Sequence, residues 1–500
     1  MIKYITEAHD TCKAFLVNND LSGSPMANAY IALALLTLAL SLLRSKKKRN
    51  ASIPWNKVPG GLPIIGHVPH IPSILDTLEG WADTYDNGSG IVEVQMAGKK
   101  YFIICNQEKA QFIESKRPHK VIRGTKFSQA LSSLKSCGLL EAEGETWKKE
   151  RRLISPHFNH KNLQDYLSHA NLVFSRLIKK WLSQCDAGPV TVTQDMHHAA
   201  TDIISLSILG YDLDSVTAPS EIATVLDTYA RLLLKRTLSP FPYWRIPIVG
   251  QYLDNGGQNT EKAVAFCKQV LADFASSSQS SNNFLVAKML KEMGKNADQF
   301  PEERLVGNMI TMFSAGTEST ATTTVSCMYQ LAKDKSLQEE LRAEAEALEE
   351  NIESIEEIRK LGTIDSRHVE IPAQSSFFLL PRFISKKSNT PLGPLTSPRD
   401  KFCAKRYLTQ NENGKYVLSG SGDIPTPSMG FRSFGSGSRI CPARHLSMME
   451  TSLVLTKILR TFEVSLKDGQ EEMKYVVKSI LAFEEDLEVV LKPRVPKASE

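Results

Sequence analysis

The sequence predicts a mostly α fold with a minor β part (α+β), preceded by one apolar helix. Three observations carry this reading. Apolar residues recur at helical spacing over Asn162–Cys185, Thr201–Leu209, Ser220–Arg236, Glu261–Ser276, Pro301–Lys333 and Ser336–Lys360. Strand-sized runs are few and short, at Ile91–Val94, Lys100–Ile104, His368–Ile371 and Tyr416–Leu418. No internal repeat and no shift in composition divides residues 59–500, so they read as one large domain.

Composition sets the outer bounds. The chain has 500 residues, of which 42% are hydrophobic, enough to bury a large core. Its 60 basic residues stand against 55 acidic ones, and a net charge of +5 is too small to argue for a nucleic-acid partner. The eight cysteines are scattered without a C-x-x-C pair, which argues against a zinc site and for a reducing compartment.

The N-terminal part reads as a membrane anchor. Residues 26–43 are dominated by Ala and Leu and carry no charge, and a spanning helix needs about 20 such residues. Arg44, Lys46, Lys47, Lys48 and Arg49 follow at once. Positive charge on that side places residues 1–25 in the lumen and the body in the cytosol. A cleaved signal peptide would carry its basic residues ahead of the apolar run. Residues 44–58 are a basic, proline-containing linker, and Pro59-Gly-Gly-Leu-Pro63 leads into the body.

Near the C-terminus the chain reads Phe434-Gly-Ser-Gly437-Ser-Arg439-Ile-Cys441-Pro-Ala-Arg-His445. The glycines and serines make a tight loop, and Pro442 suits the first turn of a helix. Cys441 is thereby placed at a helix N-terminus, where the helix dipole and Arg439 favour a thiolate that can hold a metal. The plain alternatives are a buried structural cysteine and a C-x-x-x-H zinc half-site with His445.

This string resembles the haem-binding loop of the cytochrome P-450 family, F-x-x-G-x-R-x-C-x-G. Phe434, Gly437, Arg439 and Cys441 stand at the matching positions, and Ala443 replaces the last glycine. The resemblance implies a cytochrome P-450 fold, Cys441 as the ligand of haem b iron, and Arg439 facing a haem propionate. Other segments follow in the family's order. Trp147 and Arg151 lie four apart on a helix, so they share a face, and by resemblance both bind a propionate. Ala315-Gly316-Thr-Glu318-Ser319 is similar to the family's distal helix, A-G-x-D/E-T, with Ser319 in place of Thr. There Glu318 and Ser319 would deliver protons, and the small and hydroxyl residues would widen the helix for a ligand. Phe402-Cys-Ala404-Lys-Arg406 resembles F-x-P-x-R, and Val369–Ser375 resembles the strand and turn before it.

One family feature is displaced. An E-x-x-R helix should precede that strand. Glu339-Glu-Leu-Arg342 lies too early, on an acidic surface helix. Glu356-Glu-Ile-Arg359 is better placed but ends an acidic surface-type helix with no apolar segment or proline-rich exit after it, and its service as the family pair stays open as the alternative. The sequence reads as lacking one helix and its loop near residues 361–364.

The resemblance implies a monooxygenase of the endoplasmic reticulum membrane. It would insert one oxygen atom of O₂ into a lipophilic substrate, with electrons from NADPH through NADPH-cytochrome P-450 reductase or an equivalent. Apart from the resemblance, Lys401, Lys405, Arg432 and Arg444 read either as a dock for an acidic reductase or as a solvated charged surface. The aromatic segment Pro240–Val249 reads either as an entrance loop touching the bilayer or as an ordinary packed loop. Two other readings stay open. One is a haem-thiolate isomerase or dehydratase of lipid hydroperoxides, which needs no reductase. The other is a haem-free membrane protein acting by binding alone.

Overall fold

The computed structural model describes residues 55–349 apart from 64, 71–73, 97–98, 118–120, 123, 219, 240, 247, 277–283 and 296–299, then 352–355, 358, 408–410, 416–418, 433–477 and 480–494. Several expectations lie outside these residues. They are the anchor 26–43 with most of its flanks, Glu356 and Arg359, the junction 361–364, Val369–Ser375, Phe402–Arg406, and the basic residues Lys401, Lys405 and Arg432. Among the described residues no helix is long and apolar enough to cross a membrane.

The described residues form two compact units that part after Ile113. The first is built on a three-stranded sheet. β1 (Asn56–Lys57) runs parallel to β2 (Ile91–Met96), and α1 (Ile74–Tyr85) lies against the sheet. β2 pairs antiparallel with β3 (Lys99–Ile104), from Ile91↔Ile104 to Met96↔Lys99. Val92 and Val94 are buried while Glu93 takes Trp55 Nε1–H, Lys57 and Lys100, so alternation along the strand sorts core from polar face. α2 (Gln107–Ser115) leads out of this unit.

The second unit is helical. It holds α3 (Thr125–Ser133), α4 (Gly144–Ile154), α5 (His160–Gln184), α6 (Val192–Ile204), α7 (Glu221–Leu238), α8 (Val249–Leu253), α9 (Gly256–Ser276), α10 (Leu285–Lys295), α11 (Glu302–Lys333), α12 (Lys335–Glu346) and α13 (Arg444–Thr461). β4 (Val190–Thr191) edges a small sheet whose centre, β10 (Glu488–Pro493), also pairs with β7 (Phe462–Leu466). Two hairpins, β5 (Leu408–Gln410) with β6 (Tyr416–Leu418) and β8 (Tyr475–Val477) with β9 (Leu481–Phe483), complete the strands.

Two helices end differently from the periodicity. The stretch Thr201–Leu209 is the tail of α6 running into a wider π turn, Ser205–Leu209, which Gly210 stops at φ +67°. The acidic helix ends at Glu346 rather than Lys360. Arg460 of α13 causes the stop: its guanidinium donates to the carbonyls of Ala345 (2.8 Å), Leu348 (2.9 Å) and Glu349 (2.9 Å), taking the place of the next helical turn.

α11 is the axis of the unit and packs against α6, α7, α9, α13 and β7. A helix buried on nearly every side normally reads as apolar all round. α11 instead carries hydroxyls, and they bond back to their own helix. Thr311, Ser319, Thr323 and Thr324 donate to the carbonyls four residues earlier, at 2.6–3.0 Å. Neutralised in this way, small polar residues let neighbours approach. A Cβ on Gly316 would lie 2.5 Å from Ile204 Cδ1 of α6. On its α6 side Gly316 is therefore closed by Ile204.

α13 meets α11 across a buried polar seam. Thr320 Oγ1 donates to Ser447 Oγ at 3.3 Å, and its hydroxyl lies beside the Glu450 carboxyl. Glu450 is buried, and its Oε1 has no partner. Burial lifts its pKa to about 8, against the smaller pull of the Thr320 hydroxyl. The folded chain thus keeps this proton between the unfolded value of 4.5 and about 8, while the unfolded chain releases it. Stability therefore falls as pH rises through that window. Glu450→Gln should remove the slope, so that wild type loses about 1.4 kcal/mol per pH unit relative to the variant, as read by urea unfolding at stepped pH.

Candidate functional site

The cysteine loop is closed by its own backbone. The Cys441 N–H donates to the Phe434 carbonyl at 2.9 Å. Gly435 (φ +71°) and Gly437 (φ +64°) take the left-handed backbone that this reversal needs, and a 3₁₀ turn runs from Gly437 to Arg439. Ser438 Oγ donates to the Arg117 carbonyl at 3.1 Å, tying the loop to the segment after α2. The helix begins at Arg444, so Pro442 lies in the turn ahead of it rather than in its first turn.

Cys441 is a half-buried free thiol. Burial pushes its pKa up, and the Ala443 N–H together with the Arg151 and Arg444 guanidinium groups pull it down. The expected cation, Arg439, is engaged elsewhere. Its Nη2 donates to the Ala142 carbonyl at 2.9 Å and to Glu143 Oε2, and the guanidinium lies over the Trp147 ring, 4.4 Å from the centroid. Trp147 and Arg151 project from α4 one turn apart. One of them thus supports Arg439, and the other stands near the sulfur.

The donors in this region outnumber the acceptors. Nε and Nη1 of Arg439 are buried with no partner, as is Nε of Arg117. Burial holds the Arg439 pKa down to about 10 and lowers those of Arg117 and Arg151, and Arg117 and Arg151 both add to the repulsion at Arg439. Glu143 offsets the charge of Arg439 and, with Glu114, that of Arg117. A buried guanidinium with idle N–H groups needs an anion to complete it. The two carboxylates of haem are such anions, and a thiol beside them is a ligand for its iron. The residues present fit that group. Arg117 carried no motif in the sequence, and only its contact with the Ser438 hydroxyl and its idle Nε mark it.

Along α11 one stripe stays partly open: Met312, Ala315, Gly316, Ser319 and Thr323, at helical spacing. The residues around it are mostly buried. Ser319 is on this stripe. Glu318, although adjacent in sequence, is buried on the face toward α6, where its Oε2 lies 4.0 Å from His197 Nδ1. Thr317 Oγ1 meets Thr201 Oγ1 of α6 at 3.2 Å. The structure therefore places Ser319 and Glu318 on different faces. Among the described residues no group of three or more His, Cys, Asp or Glu side chains is placed to hold a metal, so Cys441 and His445 form no zinc site there.

The E-x-x-R string Glu339–Arg342 forms a partly exposed ion pair at 2.6 Å, joined by Arg494 at 2.6 Å. It lies on α12, and its groups are too wet to act as a buried lock.

A family model described as cytochrome P-450 matches residues 57–361 and 399–489. Residues 362–398 lie outside the match. Curated relatives include a chloroplastic cytochrome P-450 97B2 of Glycine max, 23% identical, with 82% of each chain covered. The LUTEIN DEFICIENT 5 protein of Arabidopsis thaliana, also chloroplastic, is 22% identical over 81% of this chain and 72% of its own length. A cytokinin hydroxylase of Arabidopsis thaliana is 22% identical over 80% and 82%. With a family match over most of its length, and with a cysteine loop, a guanidinium cluster and a half-open hydroxyl stripe, the chain belongs to the cytochrome P-450 family of haem-thiolate monooxygenases.

Proposed function

We propose that the chain inserts one oxygen atom of O₂ into a C–H bond of a lipophilic substrate, releasing the other as water, with two electrons drawn from NADPH through a reductase. The observation that carries this reading is the pairing of idle buried guanidinium donors with a thiol one loop away. Cys441 would hold haem iron, while Arg439, Arg151 and Arg117 would bind its carboxylates with Trp147 as the platform under Arg439. Bound haem supplies the O₂ chemistry. The chain's own residues supply placement and protons. Ser319, on the open stripe, is the hydroxyl that can hold water and pass a proton. Glu318 acts from behind, on the α6 side of the helix.

A membrane setting is part of the proposal. Residues 26–43 would anchor the chain in the endoplasmic reticulum. Within the helical unit, Ile246, Ile248 (79% exposed) and Tyr252 (73% exposed) form a short apolar surface after α7. Such a surface suits contact with lipid and entry of an apolar substrate.

The reduced full chain with carbon monoxide should give the Soret shift typical of a thiolate ligand, and Cys441→Ala should lose both the shift and NADPH-dependent oxygenation. Absence of haem in the purified wild-type chain would instead favour the binding-only reading. Turnover of a lipid hydroperoxide without NADPH would favour the isomerase. Ser319→Ala should lower product formed per NADPH by about 10²-fold, while Ser319→Thr preserves it, as measured by NADPH consumption against product.

A further inference from the structure

Arg304, in the first turn of α11, is the hub of a partly buried ionic cluster that no family motif covers. Its Nε and Nη2 both lie on Glu150 Oε1, at 2.7 and 2.6 Å. Its Nη1 reaches Glu141 Oε2 at 3.1 Å, and Nη2 the Gly138 carbonyl at 3.4 Å. The Glu150 side chain is only 2% exposed. One turn further along α11, the fully buried Asn308 accepts the Leu139 N–H at 2.7 Å and donates to the Arg304 carbonyl at 2.9 Å. Thr311 shares a hydrogen bond with Ser136 at 2.7 Å. A Cβ on Gly307 would sit 2.7 Å from the Cys137 nitrogen, and one on Gly138 would sit 2.6 Å from Asn308 Oδ1. Positions 304, 307, 308 and 311 are one helix face, and that face grips residues 136–141 and the middle of α4.

The gripped segment carries the cofactor-side groups. Ala142 and Glu143 are the acceptors of Arg439, Trp147 lies under it, and Arg151 follows Glu150 directly. Stability alone is a poor reason for such a cluster, because a buried ion pair adds little over an apolar pair of the same shape. Fixing geometry is a better one. Arg304 also engages two carboxylates, Glu141 and Glu150, that would otherwise be free to turn to Arg439, whose Nε and Nη1 have no partner.

We propose that Arg304, with Glu141 and Glu150, is a positioning clamp: it sets α4 against α11 so that Trp147, Arg151 and Arg439 meet the carboxylates of haem, and it keeps the chain's own carboxylates out of that site. The clamp rests on the haem-binding reading above. It is tested on the carboxylate side alone with iron-free protoporphyrin IX and its dimethyl ester, titrated into the full-length chain by quenching of tryptophan emission. Wild type should bind the free acid at least tenfold more tightly than the ester. Arg304→Met combined with Glu150→Leu should keep the unfolding midpoint near wild type. It should lose the preference for the free acid while binding the ester unchanged. Arg304→Lys keeps the charge without the two-pronged geometry, and should lose most of the preference in a folded chain. A double variant, or Arg304→Lys where the double does not fold, that binds the free acid as wild type does would overturn the clamp. A wild-type chain without preference for the free acid would overturn the carboxylate site itself, and the clamp with it.

Discussion

Everything in the helical unit is referred to one constraint, the near-complete burial of α11. Its 32 residues are enclosed by α6, α7, α9, α13 and β7, and its position fixes theirs. Enclosure on this scale demands small or self-satisfied side chains on the crowded faces. The glycines at 307 and 316, where a Cβ would meet Cys137 and Ile204, and the back-bonded hydroxyls at 311 and 324 meet that demand. The faces then divide their work. One grips the segment before α4, one receives α6 through Ile204 and Thr201, one meets the helix after the cysteine through Thr320, and one stripe is left open. A rigid axis shared by all four lets a loop more than a hundred residues downstream sit in register with α4.

The electrostatics have a direction. Guanidinium groups converge from three separate parts of the chain, at 117, 151 and 439, and they repel one another. Folding brings them together with Glu143 as counter-charge and leaves several donors idle. Such an arrangement costs stability, as preorganised sites do, because its complement comes from the ligand. Trp147 lowers part of that cost by giving the Arg439 cation an aromatic face, and its neighbour Glu150 is kept occupied by Arg304.

The sequence made much of this legible where the chemistry is written in adjacent residues. The turn around Cys441, the pair Trp147 and Arg151, and the hydroxyl stripe around Ser319 are each contained in one short window. Helix periodicity located α5, α7, α9 and α11, whose buried faces are continuous. It overran α12, because the stop comes from Arg460, over a hundred residues away. It also gave no hint that Glu318 and Ser319 part company, since the A-G-x-E-S string is silent about which neighbour fills the space at Gly316. Arg117, Arg304 and Glu450 were invisible for one reason: each acquires its meaning from a partner far along the chain.

The cap that Arg460 places on α12 has a bearing on how such a chain tolerates change. Three carbonyls at the end of α12 are held by a side chain of the helix that follows the cysteine loop. The chain ahead of the interval without a family match, residues 362–398, is therefore moored at residues 345–349 to a helix beyond that interval. A splice or a deletion between the two changes the length of a closed circuit whose terminals stay together.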